Sequence, residues 1–174
     1  GRQTNVGGQA FILGNQSDNL GQMLTGWVTA DGDQVVNEEN SINTSTTSPT
    51  YYCDETGARV ESGWVYTTAP STPDDDADAD EYWYYLKKAT GKPATGKQSN
   101  INGQIYLFNA EGQMQSGWVA EDVATSNNVK FYQLDKEDEE MAMSTATGDV
   151  YYCGDEDDGH AKKNKWFKTW RPSE

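Results

Sequence analysis

Histidine occurs once in the 174 residues, at His160, and cysteine twice, at Cys53 and Cys153. A single imidazole removes most metal-dependent and His-assisted nucleophilic mechanisms. Two thiols are too few for a disulfide framework. Basic side chains are scarce: 13 Lys and Arg against 28 Asp and Glu leave a net charge of −15 and a sequence pI near 4.3. Phosphate recognition along a nucleic acid needs clustered Lys and Arg, so no nucleic-acid partner is expected, and an anionic membrane surface is disfavoured for the same reason. No apolar run approaches the roughly 18 residues of a membrane helix, so no membrane insertion is expected. The chain opens on Gly1 without an apolar leader; it is read as an excised fragment of a larger secreted protein, with Gly1 a remnant of a tag. Hydrophobic residues make up only 34 % and mean hydropathy is −0.88, too polar for one large round core.

What the chain does have is aromatic residues: six Trp and ten Tyr, set among Gly, Ser, Thr, Asn and Asp. Such a mixture suits thin β structure, in which each ring buries much area in a shallow groove. The rings fall in a repeat. Its clearest copy runs from Gly103 to Val119: an alternating strand carrying Tyr106 and Phe108, turn residues from Asn109 to Gly112, and a return segment, Gln113 to Val119, ending in Gly117-Trp118. This reads as one β-hairpin with Gly-Trp at the end of its second strand. The same order recurs from Phe11 to Trp27, from Tyr51 to Trp64, from Tyr84 to Lys97 (where Lys takes the Trp place) and from Tyr151 to Trp166, with a degraded copy from Tyr132 returning through Met141 and Met143. The expectation is therefore an all-β chain of antiparallel β-hairpin repeats stacked as an irregular β-solenoid, a single array of about six units over residues 1–174. The alternative is a plain β-sandwich with chance YY and GW pairs. Glycine before Trp is read as permitting close backbone approach or a positive φ.

Between the hairpins lie polar, Ser/Thr-rich and acidic stretches. Thr29 to Thr50, Asp74 to Glu81, Asp135 to Glu140 and Gly154 to Asp158 are read as solvated loops, or in part as extra strands that the pattern does not show. A short helix is placed at Lys136 to Ala142. Asp74, Asp76, Asp78 and Asp80 invite a calcium reading, but an EF-hand loop would need Gly and Glu where Ala79 and Tyr85 stand; no metal and no cofactor are expected. Cys53 and Cys153 occupy one repeat position and are read as small buried hydrophobes with reduced thiols. His160, in the turn Asp157-Asp158-Gly159-His160, is read as a surface residue.

Ile101 to Trp118, and Tyr82-Trp83-Tyr84-Tyr85-Leu86 to Gly96, resemble repeats of the cell-wall/choline-binding-type family, closest to the glucan-binding and clostridial-toxin-type aromatic hairpin repeats. Only Trp83-Tyr84-Tyr85 carries the full Trp-Tyr-Tyr opening strand. The resemblance implies a hairpin solenoid that attaches a protein to a wall polymer or glycan. It further places ligand contacts on strand aromatics, the Gly-Trp tryptophan and the Met of adjoining units, which nominates Trp83, Tyr85, Tyr106, Met114 and Trp118. The expected function is a non-catalytic binding module of a secreted or bacterial cell-surface protein. Its alternative is an adhesin, stalk or protein-interaction repeat without a small ligand, and a carbohydrate-active enzyme is the remote third. Catalytic residues are not assigned, because the carboxylates lie in runs that solvate loops and do not raise one member's pKa in an apolar pocket. The sequence leaves the oligomeric state open.

Overall fold

The computed structural model describes residues 2–33, 42–44, 49–70, 72, 76–123, 129–134 and 147–170. The expected helix at Lys136 to Ala142, the returns through Met141 and Met143, and Asp74 and Asp75 lie outside them. Among the described residues there is no helix; the regular structure is antiparallel β. It divides into two compact units, residues 1–94 and 95–174. The first holds β1 (Arg2–Val6), β2 (Gln9–Ile12), β3 (Gly26–Thr29), β4 (Thr50–Cys53), β5 (Gly63–Thr68) and β6 (Glu81–Leu86), paired β1-β2, β3-β4 and β5-β6. The second holds β7 (Gly96–Ile101), β8 (Gln104–Phe108), β9 (Trp118–Asp122), β10 (Lys130–Leu134) and β11 (Val150–Tyr152), paired β7-β8 and β10-β9-β11.

The phase of the hairpins differs from the sequence expectation. Gly-Trp does not end the second strand of its own repeat; it opens the strand that pairs with the next aromatic strand. Trp27 thus faces Tyr52, Trp64 faces Tyr85 and Trp118 faces Tyr152. The return limb of each repeat is much shorter than expected. It makes one bridge to its aromatic strand (Leu13 with Met23, Cys53 with Arg59, Leu86 with Pro93, Phe108 with Met114) and a few backbone hydrogen bonds, such as Gln115 N to Leu107 O at 2.8 Å. Then the chain turns sharply. Gly26, Gly96 and Gly117 take positive φ of 72°, 66° and 63°, a region closed to most side chains. In the Gly63 repeat the positive φ falls one residue earlier, on Ser62 at 57°. This left-handed residue breaks the limb and aims the tryptophan at the following strand.

The return limb also bonds outward. In the first unit Arg59 N donates to Ala10 O at 2.7 Å and Ala58 bridges Phe11, so residues 58–59 sit between β2 and β4. In the second, Ala161 N donates to Ile105 O at 2.8 Å while Lys162 N donates to Tyr152 O at 2.8 Å, joining β8 to β11. β9 departs from the simple pattern by serving two aromatic strands, Trp118 facing Leu134 of β10 as well as Tyr152 of β11.

Burial follows the pleat. Tyr51 and Cys53 of β4 are buried and Tyr52 between them is half-buried; Tyr84 and Leu86 of β6 are buried and Tyr85 is half-buried. The small cores are Ile12, Leu24, Val28, Tyr51 and Cys53, and Trp27, Tyr84 and Leu86, in the first unit, and Leu107, Val119, Phe131, Cys153 and Ala161 in the second. Cys53 and Cys153 are free thiols in these cores, each opposite a glycine: Cys53 faces Gly26, and Cys153 N donates to Gly117 O at 2.7 Å.

Burial pushes the Cys53 thiol up to about 11 and the Cys153 thiol up to about 12. An unfolded thiol ionises near pH 8.5. Above that pH the unfolded chain therefore binds fewer protons than the native one, and stability falls as pH rises towards 11–12. The melting temperature is expected to drop across this window less steeply in Cys53→Ala/Cys153→Ala than in the wild type. Native thiols are expected to resist a thiol reagent at pH 8 and both to react after unfolding, while Cys53→Ala costs on the order of 1 kcal/mol in denaturant melts.

Candidate functional site

The recurring element is a ring pair across the ladder. Trp27 and Tyr52 have ring centroids 5.2 Å apart, Trp64 and Tyr85 5.1 Å, and Trp118 and Tyr152 5.3 Å. Directly opposed strand positions place these rings in contact, and their steep interplanar angles, 54° to 79°, suit the ring quadrupoles. What surrounds each pair differs.

The first pair is closed. Tyr84 packs edge-on against Trp27 at 4.8 Å, the indole Nε1 donates to Thr68 O at 2.9 Å, and Trp27 is 8 % exposed. The second pair is open. Two residues further along its ladder Tyr66 faces Trp83. Trp83 sits 6.4 Å from Trp64 at 88° and 5.0 Å from Tyr66. Trp64, Trp83 and Tyr85 are half-buried and Tyr66 is 52 % exposed. The Tyr85 hydroxyl lies 3.4 Å from Ser62 Oγ. Four large rings on one short hairpin thus present an aromatic surface with hydroxyl groups at its edge. Such a surface can stack on the apolar face of a sugar or attract an organic cation through the ring quadrupole.

The third pair is capped. Phe167 packs on Tyr152 at 5.3 Å and the Trp118 indole donates to Trp170 O at 2.8 Å. At the Gly96-Lys97 repeat no indole is present. The Lys97 ammonium instead lies 4.9 Å from the centre of the Tyr151 ring and donates to its hydroxyl at 3.0 Å. That hydrogen bond, with the nearby Glu121 and Asp149 charges, holds the Lys97 pKa above its ordinary value, outweighing the effect of burial.

The five nominated residues fall into three places. Trp83 and Tyr85 share β6 and both meet Trp64. Trp118 meets Tyr152. Tyr106 and Met114 meet the turn at residues 159–160: the Tyr106 ring is 6.3 Å from that of His160, and Met114 fills the space a side chain at Gly159 would need. His160, read as a surface residue, is only partly exposed. Its side chain is 23 % exposed and pairs with Asp158, which also pairs with Lys162. Burial would raise the Asp158 pKa, but the hydrogen bonds from Lys162 and His160 outweigh it and lower the pKa. Sequence reasoning did not nominate Trp64, Tyr66 or Tyr152. For Trp64 and Tyr152 the Gly-Trp and Tyr-Tyr repeat carried the signal, once Trp is paired forward to the next tyrosine.

The difference in surroundings has a measurable consequence. Trp27→Ala removes a buried ring and is expected to cost about 3–5 kcal/mol in denaturant unfolding. Trp64→Ala removes a half-exposed one, and its smaller cost should leave the chain folded. Equal losses would show that the second pair is as much core as the first.

A family model of the choline-binding repeat matches residues 94–146. Glucosyltransferase-S of Streptococcus downei is 29 % identical over 122 residues, which is 66 % of this chain and 8 % of that protein; the chain spans only a small part of the curated relative it matches. Among solved structures, choline binding protein F from Streptococcus pneumoniae is 20 % identical, with 94 % of this chain and 45 % of that chain covered and a TM-score of 0.39. Alternansucrase in complex with isomaltononaose is 19 % identical, with 94 % and 10 % covered and a TM-score of 0.37. The Cpl-1 endolysin complexed with a peptidoglycan analogue is 16 % identical, with 100 % and 41 % covered and a TM-score of 0.41. The match to the choline-binding repeat thus covers residues 94–146, the stretch that holds Gly96-Lys97, β8 and Gly117-Trp118.

Proposed function

We propose that this chain is a non-catalytic module that attaches a secreted or cell-surface protein to a wall polymer or glycan through aromatic side chains. The observation that carries this reading is the open cluster of Trp64, Tyr66, Trp83 and Tyr85 on β5 and β6. A polar chain that leaves four large rings together at one surface keeps apolar area available for a ligand, which a monomer rarely does without use. The family of the matched repeat supports the same reading. Residues 1–174 act in it as a single array of about six repeats, stacked as an irregular β-solenoid. In the first unit the contacts are made by Trp83 and Tyr85, with Trp64 added on the geometry described, and in the second by Tyr106, Met114 and Trp118. The closed first pair serves packing: Trp27 is in the core, and that seam is structural.

Each aromatic contact with a quaternary ammonium is worth about 0.5–2 kcal/mol, and the net charge of −15 favours a cationic or neutral ligand over an anionic polymer. The test is retention on isolated Gram-positive walls, with choline, dextran and starch as competitors. Release by choline identifies a cation site, and release by dextran or starch identifies a glucan site. Trp64→Ala, Tyr85→Ala and Trp118→Ala are each expected to weaken retention while the far-UV spectrum stays that of the wild type. Full retention by a folded Trp118→Ala chain removes Trp118 from the site, and failure of the wild type to bind any wall favours the adhesin or stalk reading.

A further inference from the structure

The negative charge of the chain is unevenly spread. From Gly159 to Trp170 there are four lysines and no carboxylate, directly after the run Asp155-Glu156-Asp157-Asp158. Three of these lysines, Lys162, Lys163 and Lys165, line a cleft of about 180 Å³ in the second unit, together with Gln104, Ile105 and His160. The lysine segment is fixed there by backbone. Ala161 N donates to Ile105 O, Lys162 N donates to Tyr152 O, and His160 bridges Tyr106. Ala161 is buried in the core of the unit, so the residues that follow it start from a rigid base.

The cations around the cleft are not equivalent. Lys162 is neutralised by Asp158, which also takes the His160 ring. Lys163 and Lys165 are exposed, and among the described residues no carboxylate pairs with either. In a chain with more than two acids for every base, two unpaired ammonium groups at one cleft are a local reversal of sign. The run Asp155 to Asp158 adjoins the segment in sequence, with Asp158 taken up by Lys162 and His160, and no carboxylate is among the residues that line the cleft.

We propose that this cleft binds a phosphate group, free or as a phosphodiester. The choice among anions follows from the donors. A planar carboxylate is best matched by the fork of an arginine, whereas lysines act as separate point charges that can approach the tetrahedral oxygens of a phosphate from several sides. The volume is ample for one phosphate with its flanking carbons, since about 10–15 Å³ on this measure already holds a water molecule. The cleft belongs to the second unit and the aromatic surface of β5 and β6 to the first, and the proposal stands whether or not that surface binds a glycan.

The test is an amide chemical-shift titration of the full chain with inorganic phosphate and, separately, with dimethyl phosphate. Saturating shifts at Gln104, Ala161, Lys163 and Lys165 are expected. Lys163→Gln/Lys165→Gln should weaken binding about tenfold or more, since both charge-assisted donors are lost. The control Lys87→Gln/Lys88→Gln carries the same change in net charge and should leave the affinity as it was. Saturation by both ligands shows that the shared phosphate is recognised and admits a polymer-borne diester; saturation by inorganic phosphate alone identifies the free ion. Shifts that grow without saturating for either ligand, or equal weakening in the two double variants, would overturn the proposal by showing only a response to overall charge.

Discussion

A tryptophan set against the second tyrosine of the following strand is the contact on which these hairpins depend. A chain this polar has few apolar side chains for a core, and rings such as Tyr51, Tyr84, Phe108 and Phe131 fill it beside aliphatic residues such as Ile12, Leu86 and Leu107. One ring pair per ladder satisfies that constraint only if Trp and Tyr are directly opposite, which fixes the register: Trp27 with Tyr52, Trp64 with Tyr85, Trp118 with Tyr152. A slip of one residue would turn Tyr51 and Cys53 of β4, or Tyr84 and Leu86 of β6, out of their cores. The left-handed residue before each tryptophan is part of the same constraint, because it frees the indole from its own repeat and turns it to the next.

An isolated two-stranded hairpin is marginal in water, and the ring pair alone does not remedy this. The return limbs do. Residues 58–59 bond to β2 on one side and β4 on the other, and residues 160–162 bond to β8 and β11 in the same way. Each limb is only a bridge long, so it is silent in a hydrophobic pattern, but it supplies the backbone partners that two aromatic strands would otherwise lack. Arg59 shows how tightly such a limb is held: its side chain is buried over the Tyr51 ring, 4.8 Å from the centroid, and ion-paired to Glu61.

The all-β character, the aromatic strands and the burial of Cys53 and Cys153 were legible because they rest on period-two alternation and on repetition, both printed in the sequence. The phase of the hairpins was not. Gly103 to Val119 looks like a closed hairpin because strand, turn and return occur in order; nothing local says that the ladder partner of Trp118 is Tyr152, over thirty residues away. Pairing across that distance is decided by which aromatic strand needs the indole, a tertiary preference without a sequence period. The open cluster was half legible for the same reason. Trp83 and Tyr85 were nominated from their own strand, whereas Trp64 and Tyr66 enter only through the forward pairing. The lysine cleft went unread because net charge averages over the chain and hides a reversal confined to a dozen residues.

The position after the repeat glycine decides what each seam can do. With Trp27 there, and Tyr84 packed on it, the seam is core. With Trp64 there, and Tyr66 facing Trp83 two residues on where the first ladder has Thr29 and Thr50, the rings stay at the surface. With Trp118 there, Phe167 packs on its partner tyrosine and Trp170 takes its indole hydrogen. With Lys97 there, the repeat has no indole, and the lysine supplies an ammonium to the Tyr151 face that a foreign cation would otherwise meet. The Tyr151 hydroxyl reaches Glu121 Oε2 and Asp149 Oδ2 at 3.3 Å each, so the chain's own cation sits in an aromatic and acidic setting suited to holding one. A repeat of near-constant backbone grammar therefore yields seams of unlike chemistry. The side chain after the glycine, together with the strand that arrives opposite it, sets whether the seam packs, presents rings or fills itself.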